Sequence, residues 1–260
     1  MIRFFVQIEY SGTNYHGFQK QPKTKKTIQH HIDQAISKVA DHKVVTICSG
    51  RTDAGVHALN QFVHFDTSSN RKITSWVKGV NSYLPHDISV KNFYQVDTAL
   101  HARFSAISRG YLYVIKNSDT PPAIGAQNCL WVRKPLNVDK MHKAAQHLLG
   151  EKDFSAFRAS GCQSNSPVRE IYETKVYKTD NLIFFKIRGN AFMLNMVRII
   201  TGTLINVGIG KINISEFKKI IKLKKRIGAG KTISPNGLYF IGPEYNELEY
   251  IKEAPLNELD

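Results

Sequence analysis

The sequence is poor in the residues that staple or metallate small proteins. Its three cysteines, Cys48, Cys129 and Cys162, stand far apart, form no CxxC pair and are odd in number. That excludes a disulfide framework and a zinc cluster, and it suits a reducing cytoplasm. Histidine is plentiful at ten, yet HxxxH and HExxH are missing. His30 and His31 are adjacent on a helix face, and His57 and His64 are expected in different elements, so no metal site is expected. No window approaches the roughly 18 apolar residues of a membrane span. A GxxxxGK[ST] phosphate loop and a dinucleotide fingerprint are absent, since GIGKIN and GAGKTIS both fail the spacing, and no cofactor is implied. The lack of GxSxG leaves a serine nucleophile without support.

Acidic residues are the other shortage. Against 36 Lys and Arg stand only 21 Asp and Glu, a net charge of +15. Such a surplus points to a polyanionic partner, nucleic acid first, with a lysine-rich background composition as the plain alternative. The N-terminal MIRFFVQIEY alternates polar and apolar residues and carries Arg3 and Glu9, which reads as a first strand rather than a signal peptide.

What is present is a regular alternation of elements. The pattern predicts strands over 2–10, 44–48, 61–65 and 88–96, with helices over 28–39 and 73–84. This β-α-β-β-α-β order is the split βαβ pattern, an antiparallel sheet with helices on one side. The second half offers strands over 111–116, 171–177 and 182–188. Its helices are expected over 138–149, about 192–207 and 215–222, before a basic run at 222–226 and the Gly/Pro-rich GAGKTISPNGLYF. The predicted class is α+β, with one domain over 1–105 and a second over 106–260.

Within GRTDAGVHALNQF, Gly50 to Phe62, TDAG is good turn chemistry. Arg51, two residues before Asp53, is close enough in sequence to pair with the carboxylate and hold it ionised. An ionised, positioned Asp53 serves as nucleophile, base or metal ligand, and spacing does not choose among them. Tyr111 and Tyr113 share one face of a strand, either as core tyrosines or as a platform for an unstacked base beside Arg103 and Arg109. Arg198 sits in the apolar AFMLNMVRII, where a cation needs a buried carboxylate or a phosphate.

GRTDAGVHA closely resembles the catalytic motif of the bacterial tRNA pseudouridine synthase A family. YSGTNYHGFQKQ, HARFSAISRGYLYVI, GEKDFSAFRASG, RGNAFMLNMVRIITGTLINVG and ISPNGLYF resemble further blocks of that family in the same order. The resemblance implies isomerisation of uridine to pseudouridine at positions 38, 39 and 40 of the tRNA anticodon arm, without cofactor or metal. It implies two ferredoxin-like, split βαβ domains sharing a central mixed, mainly antiparallel sheet with a cleft between them, in a homodimer that binds tRNA. By the same likeness Asp53 is the nucleophile, Arg51 orients it, Tyr111 packs on the target base, Leu238 forms an apolar wall against the uracil and Arg198 supports the pocket. Phe18 departs from a position that is often Trp, and Leu194-Asn195 from a pair that is often His-His; both are expected to alter packing or RNA contact more than chemistry. Lys20, Lys23, Lys25, Lys26 and the 222–226 run are candidate phosphate contacts.

Two other classes compete. Charge and split βαβ order alone also fit a non-catalytic basic RNA-binding module, although such a module needs exposed strand aromatics. An Asp-dependent glycosidase or nuclease would want a second carboxylate, for which Glu170 and Glu173 are the nearest candidates.

Overall fold

The computed structural model describes residues 1–246 and Leu248; the far end of the expected second domain, residues 247 and 249–260, lies outside the described residues. Among the described residues there are ten strands and five α-helices. The first six elements are β1 (Ile2–Tyr10), α1 (Ile28–Ala40), β2 (Ile47–Cys48), β3 (His57–Thr67), α2 (Ile73–Tyr83) and β4 (Ile88–Val96), in the predicted order. Then come β5 (Ser108–Asn117), β6 (Leu130–Val132), α3 (Val138–Ala145), β7 (Gly150–Asp153), β8 (Val168–Thr179), β9 (Leu182–Gly189), α4 (Met196–Gly208), α5 (Ile214–Leu223) and β10 (Leu238–Glu244). The chain forms two units, residues 1–109 with the return from Tyr239 onward, and residues 110–238.

In the first unit β1 runs antiparallel to both β3 and β4, and its alternating side chains split between two faces. On one face Phe4, Phe65, Trp76 and Phe93 form an aromatic core beneath α2, with Trp76 stacked on Phe93 at 5.4 Å and 25°. The helices cover this side because Ile28, Ile32, Ala35 and Ile36 of α1, and Trp76 and Val80 of α2, recur at helical spacing and are buried. The opposite face carries Phe5 and Phe62, covered by Ala102, Ala106, Tyr245 and Leu248. The connection through HARFSA is therefore the lid of this second layer.

β3 is longer than its alternation suggested, because it is buried along nearly its whole length and so reads as a mixed run. It begins at His57, so His57 and His64 lie on one strand after all, on opposite faces because they are seven residues apart. Beyond β1, its other edge is shared. Ile47 and Cys48 pair antiparallel with His64 and Val63, while Tyr239 and Phe240 pair parallel with His57 and Ala58. The expected strand over 44–48 shrinks to two residues.

In the second unit β8 pairs antiparallel with both β7 and β9, and the short β6 runs parallel to β5. α4 is buried on almost every side, which matches its mainly apolar sequence. Its Gly202 lies so close to the GAGK segment that a Cβ there would stand 2.3 Å from the Lys231 carbonyl oxygen, and Gly230 donates its N–H to Thr203 Oγ1 at 2.8 Å. Of the GAGK glycines, Gly230 serves backbone approach to a helix and Gly228, at φ +91°, a turn. α5 opens with a reciprocal capping box between Asn213 and Glu216.

The His64 imidazole marks a pH sensitivity of the first unit. It is buried, its Nδ1 accepts the Ala102 N–H at 3.1 Å, and its ring is 4.5 Å from that of His101. Burial, with His101 and Arg3 nearby and only Asp66 opposing, pushes its pKa down from 6.5 to about 4. A group depressed on folding binds its proton more readily in the unfolded chain. Its contribution is therefore complete above pH ~6.5 and is lost as the pH falls towards 4, by up to about 3 kcal/mol. Urea unfolding between pH 7 and 4.5 should show this loss in the wild type and a flatter profile in His64→Gln.

Candidate active site

Asp53 sits half-buried on the loop between β2 and β3. The loop closes as a turn, with the Val56 N–H donating to the Asp53 carbonyl at 3.1 Å and Gly55 at φ +78°. A second loop, residues 11–18, lies along it. Phe18 N–H donates to Thr52 O at 3.0 Å, Gly55 N–H to Tyr15 O at 3.3 Å, and Gly12 N–H to His57 Nδ1 at 3.2 Å. Buried Tyr10 and Thr52 join hydroxyls at 2.8 Å. The approach is tight enough to require glycine twice: a Cβ would fall 2.0 Å from the Val56 carbonyl oxygen at Gly12, and 2.9 Å from that of Thr52 at Gly17, whose φ is +94°.

The upstream side of the same loop is pinned by buried polar groups. Gln61 Nε2 donates to the Gly50 carbonyl at 2.7 Å, while its Oε1 accepts from Ser49 Oγ at 2.7 Å. Arg109 spreads its guanidinium between Ser49 O, Ala106 O at 2.9 Å and Arg103 O. Arg51 is exposed; with Arg103 it opposes the burial that raises the Cys48 thiol to about 11. Further out, the Tyr15 hydroxyl donates to Asp87, which anchors the neighbouring loop to the start of β4.

The second unit holds the other predicted residues. Tyr111 on β5 is half-buried, its ring edge-on to Phe192 at 5.1 Å and 81°. Tyr113, on the same face, is fully buried, and its hydroxyl donates to the Ser234 carbonyl at 2.5 Å. The pair thus divides: Tyr113 is a core residue and Tyr111 keeps a surface. Burial raises the Tyr113 hydroxyl well above its usual range, partly offset by Arg198, so it remains a donor. Arg198 donates from Nε to Ile233 O at 2.7 Å and from Nη1 to Asn195 Oδ1 at 2.7 Å. Together with the Val114 N–H donating to Gly237 O at 2.8 Å, these bonds clamp residues 233–237 and fix buried Leu238. Gly237 permits that contact, since a Cβ would meet the Val114 carbonyl oxygen at 2.4 Å.

Arg198 and Leu238 are brought together through one loop, whereas Asp53 and Arg51 belong to the first unit. Over residues 6–105 and 144–246 the chain matches the tRNA pseudouridine synthase family. The chain belongs to that family. The synthase is 42% identical over 253 residues to tRNA pseudouridine synthase A of Francisella tularensis subsp. mediasiatica, covering 97% of this chain and 98% of that one. It is 43% identical over 256 residues to tRNA pseudouridine synthase A of Coxiella burnetii, covering 98% of each. A chain in the crystal structure of a Cbf5-Nop10-Gar1 complex aligns over 91% of the synthase and 48% of its own length, with a TM-score of 0.39 and 12% identity. The synthase is an isomerase acting on uridine in tRNA. That sets aside the non-catalytic module and the glycosidase or nuclease. Among the described residues no helix is long and apolar enough to cross a membrane, and no three His, Cys, Asp or Glu side chains are grouped to hold a metal ion.

The structure sorts the remaining candidates. Phe18 of the synthase is buried beside Tyr10 and fills space under the Asp53 loop, and Asn195 orients Arg198. Several cations have protein partners: Lys20 pairs with buried Asp33 at 2.6 Å, Lys224 lies 3.5 Å from Asp153, and Arg226 donates to Gly230 O at 2.7 Å. Lys20 also lines, with Lys23, Lys25 and His30, a basic depression of about 290 Å³. Sequence reading missed Gln61 and Ser49 as supports; it named Thr52, Arg109 and Tyr113 without the partners they take here. A polar Gln61 inside an apolar strand was the available signal for the first.

Two variants test this scaffolding. Gly12→Ala should destabilise the synthase by about 1–3 kcal/mol, the usual cost of overpacking, and lower its turnover by displacing the Asp53 loop. Urea melts and single-turnover assays read both. Tyr113→Phe strands the Ser234 carbonyl, costing about 1–2 kcal/mol, and should reduce kcat as the Leu238 segment loosens; a wild-type kcat would refute that positioning role.

Proposed function

We propose that the enzyme converts uridine to pseudouridine at positions 38, 39 and 40 of the tRNA anticodon arm, with Asp53 as nucleophile. The observation that carries this reading is the stiffness of the Asp53 loop, hydrogen-bonded on both flanks and backed by Gly12 and Gly17. A carboxylate that must meet a reacting carbon benefits from such prepayment of positional entropy. The reaction breaks the N–C glycosidic bond, turns the uracil and joins its carbon 5 to the ribose; the hydrogen at carbon 5 leaves as a proton and the freed ring nitrogen takes one up, so the product is an isomer. Asp53 serves this by adding to the ribose carbon, by adding to carbon 6 of the base, or by removing a ribose proton on the way to a glycal.

In this reading Arg51 orients Asp53, Tyr111 packs on the target base, Leu238 walls the uracil and Arg198 holds the segment that carries Leu238. The last role is supported by the Arg198 bond to Ile233 O. The target nucleotide must leave its stack at a cost of a few kcal/mol, and phosphate contacts from the basic surface supply the offset. Lys23, Lys25 and Lys26, all exposed beside the basic depression, suit that task without reading sequence. The protein acts in the cytoplasm as a homodimer, and its three thiols are unlinked.

Asp53→Asn is expected to bind tRNA within about threefold of wild type, since only one charge on the loop is lost, while transition-state stabilisation collapses. It should release no tritium from tRNA labelled at carbon 5 of uridine. Undiminished release would remove Asp53 from the chemistry, and release from sites other than 38–40 would remove the positional assignment.

A further inference from the structure

Phe104 is the most exposed aromatic side chain among the described residues, 75% accessible, on a segment that is otherwise firmly packed. On either side of it Ala102 and Ala106 are buried against Phe5, Phe62 and Tyr245. The turn is held by the Ala102 N–H on His64 Nδ1 at 3.1 Å, by Tyr245 Oη donating to Ala102 O at 2.7 Å, and by the His101 N–H on Ser105 Oγ at 2.9 Å. His101 Nδ1 accepts the N–H groups of Arg103 and Phe104 at 3.1 and 3.2 Å, so Nδ1 carries no proton in this arrangement and the ring plane is fixed. The His101 ring then backs Phe104 at 4.4 Å and 31°, and the Arg103 guanidinium stands 5.5 Å from the Phe104 centroid.

We propose that Phe104, backed by His101 and flanked by Arg103, is a stacking platform for an unstacked RNA base close to the target nucleotide. The ring is largely accessible, an aromatic surface of the kind that bases stack on, and the exposed Arg103 adds the positive charge that a neighbouring phosphate needs. The platform is tied to the catalytic loop: the Arg103 carbonyl accepts from Arg109, which also holds Ser49 O, and Arg103 and Arg51 both act on the Cys48 thiol. A rigid turn that presents a phenylalanine and an arginine to solvent is pre-organised for such a ligand, because little side-chain or backbone freedom remains to be lost on binding. The inference rests on the tRNA reading above, since it requires an RNA with a base out of its stack.

The test uses the full chain, an anticodon stem-loop RNA and 2-aminopurine placed at each unpaired position in turn. Wild type should bind tightly and quench 2-aminopurine at one position. Phe104→Ala should lose about tenfold or more in affinity, as for deletion of one base–aromatic stack, together with that quench. Phe104→Trp should restore both. Thermal melts verify folding, which an exposed side chain should not disturb. Equal affinity and equal quenching for wild type and Phe104→Ala overturn the platform. So does conversion of a dimer to a monomer in Phe104→Ala by light scattering, which would make a second copy of the chain the occupant. A wild type that shows the Phe104-dependent quench yet leaves positions 38–40 unmodified sustains the platform and sinks the positional reading.

Discussion

Two loops of the first unit approach until their backbones touch, and the placement of Asp53 depends on that contact. Gly12 and Gly17 lie against the carbonyls of Val56 and Thr52 at distances that leave no room for a side chain. Hydrogen bonds from Phe18, Gly55 and Gly12 then satisfy the polar groups that the approach removes from water. A turn between strands is ordinarily mobile; this one is stiffened by neighbours 30 to 45 residues away in sequence. The stiffness is paid for in composition, through glycines with no side chains to contribute and a buried cluster of Tyr10, Thr52, Ser49 and Gln61 that must satisfy itself.

The second unit uses a different device for the same purpose. Residues 233–238 have no regular structure until β10 begins, yet a tyrosine hydroxyl, an arginine and a strand N–H each bind one of their carbonyls. Arg198 spends two of its donors on the Ile233 carbonyl and the Asn195 amide oxygen, strong hydrogen bonds that a planar guanidinium makes in a fixed geometry.

The basic surplus likewise divides by function once partners are visible. Arg226 holds its own loop together, whereas Lys20, paired with Asp33, shares the lining of a surface depression with Lys23 and Lys25. Counting charges could not separate the two groups. A lysine four residues from an aspartate on a helix can be paired from sequence, but Lys20 and Asp33 meet across a loop and a helix, and Arg226 bonds backbone that carries no signature of its own.

Periodicity alone determined the six elements of the first unit in order, most helices of the second, and the α+β class, because apolar spacing is set by the geometry of each element and needs no knowledge of its neighbours. The motif around Asp53, read with its companion blocks, determined the family. What only tertiary structure decided is non-local. β10 returns to lie parallel to the start of β3, pairing Tyr239 and Phe240 with His57 and Ala58, a contact between residues about 180 positions apart that local periodicity does not encode. Tyr111 and Tyr113 are equivalent by alternation, yet Tyr113 is sealed under the Ser234 carbonyl and Tyr111 is only half-buried. Sequence fixes which face of a strand a side chain takes; what covers that face is fixed by residues over a hundred positions away.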